Sequence, residues 1–174
     1  MENGAVLKGK TMGKEIRIRS VNEEDAEFLY QLMNCPPVLE RLKEVPTTRQ
    51  DWADAVSEWL KDDDEEDYIV LAGDTPMGWL GINGLLGGDR IAYLKMAVFL
   101  PEYQGRGYGT CSIREVLDGL KQKGMEQVIL YTDSDNRIAQ ACYRKCGFEV
   151  VESLTETMSN GKDVDRVKMV SCLK

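Results

Sequence analysis

Val98-Phe99-Leu100-Pro101-Glu102-Tyr103-Gln104-Gly105-Arg106-Gly107-Tyr108-Gly109-Thr110 is the stretch on which the fold turns. An apolar run ends at Pro101, and glycines follow at alternate positions. Ile113, Val116, Leu117 and Leu120 then recur at helical spacing. The order is strand, loop, helix. Alternating glycines let successive backbone N–H groups converge at a helix N-terminus, where unpaired amides and the positive end of the helix dipole both favour an anion. The loop therefore predicts a phosphate-bearing ligand, with a pyrophosphate the best match. A tight strand-to-helix turn with glycines for close packing alone is the weaker reading, because three glycines alternate after a proline-ended strand. A nucleoside-triphosphate loop would need Gly-Lys-Ser/Thr, which is missing. A dinucleotide fingerprint, Gly-x-Gly-x-x-Gly, differs from Gly-x-Gly-x-Gly and would sit in a first strand–helix–strand unit rather than late in the chain.

Upstream of this stretch, residues 1–14 read as a loose lead-in, with a short strand near Val6-Leu7. Glu15–Val21 alternates apolar and charged residues as a half-buried strand does. Asn22-Glu23-Glu24-Asp25 is a cap followed by acids, and Ala26, Leu29, Leu32 and Met33 trace a helical stripe that stops before Cys35-Pro36-Pro37. A second helix starts at Thr48, with Asp51 placed for a capping box. Strands are expected at Tyr68–Ala72, Met77–Leu85 and Arg90–Phe99. Downstream, the loop helix closes at Gly124, Val128–Thr132 is a buried strand, and Asn136–Cys146 is a helix ended by Gly147. Phe148–Met158 and Val164–Ser171 form a hairpin around Asn160-Gly161. The order βααβββαβαββ predicts an α/β (α+β) domain: a mixed, mostly antiparallel sheet of about seven strands with four helices.

At 174 residues the chain has the size of one domain over 1–174, and 43% apolar with 30% charged residues is ordinary for a globular protein. A net charge of −8 disfavours a nucleic-acid partner and suits a soluble or cation-attracting surface. The densest acidic run, Asp62-Asp63-Asp64-Glu65-Glu66-Asp67, is expected to be a solvated turn. No apolar run is long enough for a bilayer, and Met1-Glu2-Asn3-Gly4 lacks signal-peptide character, so the expectation is a cytoplasmic protein without membrane contact. Five cysteines without a CxxC pair and no histidine predict reduced, mostly buried thiols and no metal site.

The element order and two segments resemble the GNAT superfamily of acyl-CoA-dependent N-acyltransferases. One segment is Gln104-Gly105-Arg106-Gly107-Tyr108-Gly109, similar to that family's Gln/Arg-x-x-Gly-x-Gly/Ala loop. The other, Asn136 to Phe148, matches Asn-x-x-Ala-x-x-x-Tyr-x-x-x-Gly-Phe through Asn136, Ala139, Tyr143, Gly147 and Phe148. The opening Leu7-Lys8-Gly9-Lys10 with Ile16-Arg17-Ile18-Arg19 looks like the branch of ribosomal-protein N-terminal acetyltransferases. The resemblance implies acetyl-CoA as acyl donor, an amine acceptor, direct attack without a covalent enzyme intermediate, and a monomer or homodimer.

It also implies roles. The backbone N–H of Ala97 would donate to the thioester carbonyl, with Val98 and Phe99 nearer the pantetheine. Backbone amides of Gln104, Gly105, Arg106, Gly107, Tyr108, Gly109 and Thr110 would take the pyrophosphate, with charge added by Arg106. Asn136 and Tyr143 are seven apart and share a helix face. Asn136 would cap that helix or bond the donor's amide arm, while Tyr143 would aim its hydroxyl at the leaving sulfur. An unperturbed phenol has a pKa of about 10 against about 8.5 for a thiol, so a hydrogen bond to the developing thiolate is favoured over full proton transfer. The glutamates many family members carry as bases correspond here to Tyr93 and Tyr131. This leaves a tyrosine, or Asp133, Glu102 or Glu44 acting through water, as candidates. Asn34–Thr47 reads as an amine-selective lid or an ordinary loop. Three functions stay open: acetylation of a peptide or protein N-terminus, acetylation of a small polyamine or aminoglycoside-like amine, and non-catalytic acyl-CoA binding.

Overall fold

The computed structural model describes residues 7–11, 14–158 and 161–173. Among them one sheet is built from β1 (Leu7–Thr11), β2 (Lys14–Ser20), β3 (Glu66–Ala72), β4 (Thr75–Asn83), β5 (Ile91–Phe99), β6 (Gln127–Asp133), β7 (Glu149–Thr157) and β8 (Asp163–Cys172). The spatial order is β1-β2-β3-β4-β5-β6-β8-β7. Every neighbouring pair is antiparallel except β5 and β6. The helices are α1 (Ala26–Met33), α2 (Pro36–Leu42), α3 (Arg49–Trp59), α4 (Tyr108–Gln122) and α5 (Arg137–Lys145).

Two cores form because alternate residues of a strand face opposite sides of the sheet. Ile69 and Leu71 of β3 pack with Leu29, Leu32, Trp52 and Val56 on the α1–α3 side. Tyr68 and Val70 of the same strand pack with Ile113, Val116, Leu117 and Leu120 of α4 on the other. The capping box read at Thr48 forms as expected: the Thr48 N–H donates to the Asp51 carboxylate at 2.7 Å, and the Asp51 N–H donates to the Thr48 hydroxyl at 3.2 Å. Thr48→Ala is expected to lower stability by about 1 kcal/mol, read as a lower urea midpoint at unchanged slope.

The fold class holds, with one strand and one helix more than the sequence reading. Leu7–Thr11, placed in a loose lead-in, is a strand paired with β2 from Leu7 opposite Ile18 to Thr11 opposite Lys14. Its sequence lacks apolar alternation, and the free backbone edge of β2 supplies the pairing instead. Val6, where the short strand was expected to begin, lies outside the described residues, as do residues 159–160 at the expected hairpin turn. Pro36 and Pro37 end α1, but they also open α2, since the first turn of a helix tolerates residues without an N–H. The acidic run is not wholly a solvated turn: Glu66 and Asp67 belong to β3, Asp67 is buried, and Asp64 accepts from the N–H groups of Gly84 and Leu86.

Candidate active site

The site begins as a gap in the sheet. β5 and β6 pair only from Ile91–Gln127 to Tyr93–Ile129. Beyond that point β6 runs on beside β8 through Asp133, while β5 runs on beside β4 through Phe99, and the two strands part. At the start of this divergence β5 carries a bulge: Ile82 opposes Leu94 and Gly81 opposes Met96, leaving Lys95 as the extra residue. The Leu100 N–H bonds the Met77 carbonyl of β4 at 2.9 Å. Hydrogen-bonded pairs alternate along an antiparallel ladder, so Val98 and Met96 also turn their N–H groups to β4. The N–H groups of Ala97 and Phe99 therefore face the gap. The Phe99 carbonyl, on that same side, accepts from the Gln104 side chain at 2.8 Å, which ties the loop to the strand end.

The glycine loop delivers the next group of donors. Gly105 and Gly107 have φ of +70° and +82°, a conformation that L side chains rarely adopt. Gly107 is the N-cap of α4, no side chain caps that end, and its first turn carries no acid. The N–H groups of Tyr108, Gly109 and Thr110 precede the first intrahelical bond, which runs from Cys111 to the Gly107 carbonyl. Gln104, Gly105, Arg106 and Gly107 are exposed, whereas Tyr108 is buried under the loop against Tyr103. A pyrophosphate fits this cradle: it is open to solvent, rich in N–H donors, and free of carboxylates in its first turn.

α5 closes the other flank. Asn136 caps it, its side-chain oxygen accepting from the Ala139 N–H at 3.2 Å. Gln140, buried one turn later, donates to the carbonyls of Asp133 and Ser134 at 3.1 and 3.0 Å and so fixes the approach from β6. The Thr110 hydroxyl and the Cys142 thiol are 3.3 Å apart, which ties α5 to the first turn of α4. Tyr143 packs edge-on against Phe148 and remains half-buried. Burial, with the neighbouring Cys142 and Cys146 thiols, pushes its phenol above the ordinary range. None of the five cysteines forms a disulfide; Cys146 is buried in the core, but Cys35, Cys111 and Cys142 are half-buried and Cys172 is exposed, so the expectation of mostly buried thiols does not hold.

A cleft of about 600 Å³ is lined by Glu40, Lys43 and Glu44 at the end of α2 and by Asp135, Asp163 and Asp165 across from them. Asp133 is held by Lys43 at 2.8 Å and lies 3.7 Å from Arg166, so it is engaged in ion pairs rather than presented as a free base. Glu44 lines the cleft, Glu102 is exposed in the turn before the loop, and Tyr93 and Tyr131 are exposed on their strands. Asn34–Thr47, read as lid or loop, contains α2 and contributes Leu39, Glu40, Lys43, Glu44 and Val45 to this cleft.

A cluster that the sequence reading did not bring together lies behind the bulge. The Lys95 ammonium contacts Glu65, lies 3.4 Å from Asp67, and sits 4.4 Å above the Trp59 ring. Trp79 stacks on Trp59 and donates its indole N–H to Asp67 at 2.7 Å. Burial pushes the Asp67 carboxyl up to about 7, against the Trp79 hydrogen bond, and draws Lys95 down to about 8. The available signal was a lysine inside the apolar run Tyr93-Leu94-Lys95-Met96-Ala97.

Comparison with known proteins places this geometry. The model of the Acetyltransferase (GNAT) family matches residues 26–148. A mycothiol acetyltransferase of Saccharomonospora viridis is 51% identical over 53 residues, 30% of this chain and 17% of that protein. N-alpha-acetyltransferase 30 of Schizosaccharomyces pombe is 32% identical over 74 residues, 42% of this chain and 49% of that protein. These matches thus span about half or less of the curated relatives' lengths. The structure of spermidine N-acetyltransferase from Vibrio cholerae in complex with CoA and spermine superposes with a TM-score of 0.82 at 22% identity, covering 91% of this chain and 95% of that one. With a family model spanning most of its length, this chain belongs to the GNAT acetyltransferase family.

Proposed function

We propose that this protein moves an acetyl group from acetyl-CoA to a primary amine by direct attack within a ternary complex. The observation that carries the reading is the pairing of two sets of backbone donors, the gap-facing amides of Ala97 and Phe99 and the uncapped α4 terminus behind Gly105 and Gly107. The α5 helix, which carries Tyr143, is tied to the first turn of α4 through Thr110 and Cys142. In this reading the amides from Gln104 to Thr110, with Arg106, hold the pyrophosphate. Val98 and Phe99 run beside the pantetheine, and the Ala97 N–H polarises the thioester carbonyl as a preorganised donor worth about 3 kcal/mol. Tyr143 donates to the departing thiolate. Asn136 is committed to the cap through its oxygen, which leaves its amide N–H₂ for the donor's amide arm.

The acceptor we favour is an α-amine at a peptide or protein N-terminus. The cleft is open to solvent, and among the described residues the candidate base Asp133 is held in ion pairs with Lys43 and Arg166. An α-amine, with a pKa near 7.7–8.0, is already partly neutral at pH 7, whereas a lysine-like amine is not. The local similarity to N-alpha-acetyltransferase 30 supports the same choice. A small polycationic amine is the second reading, favoured by the excess of carboxylates around Glu40, Glu44, Asp135, Asp163 and Asp165. Free-thiol release from acetyl-CoA, measured over N-terminal peptides, polyamines and aminoglycosides, tests both. Turnover is expected on peptides. Turnover confined to polyamines or aminoglycosides would establish the second reading. Thermal stabilisation by acetyl-CoA with silence on every amine would mark a binding module.

A further inference from the structure

We propose that Lys95 is a positioning residue for acyl transfer: its ammonium, held by Glu65 and Asp67 over Trp59, fixes the β5 bulge that turns the Ala97 and Phe99 amides into the gap. This role rests on the reading of the gap as the thioester site.

Strand parity carries the argument. Ala92 and Leu94 pack on the α4 side of the sheet. In an unbroken strand Met96 and Val98 would follow them there, and the N–H groups of Met96 and Val98 would face the gap. Instead Met96 and Val98 pack on the α1–α3 side, while Ala97 and Phe99 pack against α4. One extra residue, Lys95, separates the two parities. Which amides the gap receives is therefore decided at Lys95.

The side chain of Lys95 is anchored on the α1–α3 side. It contacts Glu65, lies 3.4 Å from Asp67, and covers Trp59. Asp67 is itself fixed by the Trp79 indole, its side chain only 1% exposed. Gly81 makes the crossing possible. A Cβ there would lie 2.5 Å from Lys95 Cε and 2.8 Å from an Asp67 carboxylate oxygen. Without the ammonium, Glu65 and the buried Asp67 lose their shared cation, and the bulge loses the contact that pins it.

The test compares Lys95→Met, which keeps the apolar stem over the tryptophan, with Lys95→Arg, which keeps the charge. Acetyl-CoA carrying ¹³C at the thioester carbonyl is bound to each, and infrared difference spectra are recorded beside steady-state kinetics. In the wild type the bound carbonyl stretch is expected below its free value. In Lys95→Met it is expected to return towards that value, with kcat down about 10- to 100-fold and acetyl-CoA affinity within about threefold. Lys95→Arg is expected to restore most of both. If Lys95→Met does not fold, Glu65→Gln, which leaves the Lys95–Asp67 contact, is expected to show the same shift in smaller degree. A Lys95→Met or Glu65→Gln protein with wild-type stretch and kcat would overturn the role of Lys95 alone. No stretch shift in the wild type would overturn the thioester gap, and the role of Lys95 with it.

Discussion

Gly107→Val is expected to weaken acetyl-CoA binding about 100-fold while leaving the sheet folded. Gly107 has φ +82° and ψ −2° and forms the N-cap of α4. A β-branched residue in that left-handed conformation costs about 1–2 kcal/mol, so the chain will relieve it by rotating the peptides on either side. Those peptides carry the N–H groups of Gly107 and Tyr108, at the uncapped end of the helix. Losing one or two such hydrogen bonds to a charged group removes about 1.5–3 kcal/mol each. A total near 2.7 kcal/mol corresponds to a factor of about 100 in Kd. Isothermal titration with acetyl-CoA reads the affinity, and a melting curve reads the fold. An unchanged Kd would remove the loop from the donor site.

Tyr143→Phe is expected to lower kcat/KM about 100-fold, with the Kd of acetyl-CoA changed less than threefold. The phenol sits half-buried on α5 against Phe148, and burial makes it a weaker acid than a free tyrosine. A thiolate near pKa 8.5 does not need a full proton from such a group to depart; it needs a donor in a site from which water is excluded. Positioned proton donors contribute about 10²–10⁴-fold, and the low end suits a hydrogen bond without complete transfer. The phenylalanine ring keeps the edge contact with Phe148, so stability and donor affinity are expected to persist. A variant with full kcat would make Tyr143 a packing residue and leave thiolate stabilisation to backbone donors alone.

How legible each feature was depended on how local its cause is. Thr48 and Asp51 announce their helix because a capping box is closed by residues three apart, and both of its hydrogen bonds are present. Gly124 and Gly147, at φ +87° and +89°, end their helices where the sequence reading put them, since a left-handed residue is needed at that step and nowhere else nearby. By contrast, Leu7–Thr11 has no apolar alternation of its own and is a strand because β2 offers an open edge. Pro36-Pro37 reads locally as a stop, and only the chain that follows makes it also a start. Asp67 looked like one more solvated acid at the end of a charge run. Its burial comes from Trp79 and Lys95, residues 12 and 28 positions away in the sequence.

The sequence by itself determined the motif chemistry and the order of elements apart from β1 and α2. The glycine loop, the Asn136–Tyr143 helix and their separation by one helix and one strand rest on local periodicity and backbone freedom, which a linear chain carries in full. Only the tertiary structure decided which amides face the gap. That choice depends on a one-residue mismatch between β4 and β5, and register is a relation between strands that neither strand encodes alone. The partners that hold the mismatch, Glu65 and Asp67 on β3 and its approach and Trp59 at the end of α3, meet Lys95 only after the sheet has closed.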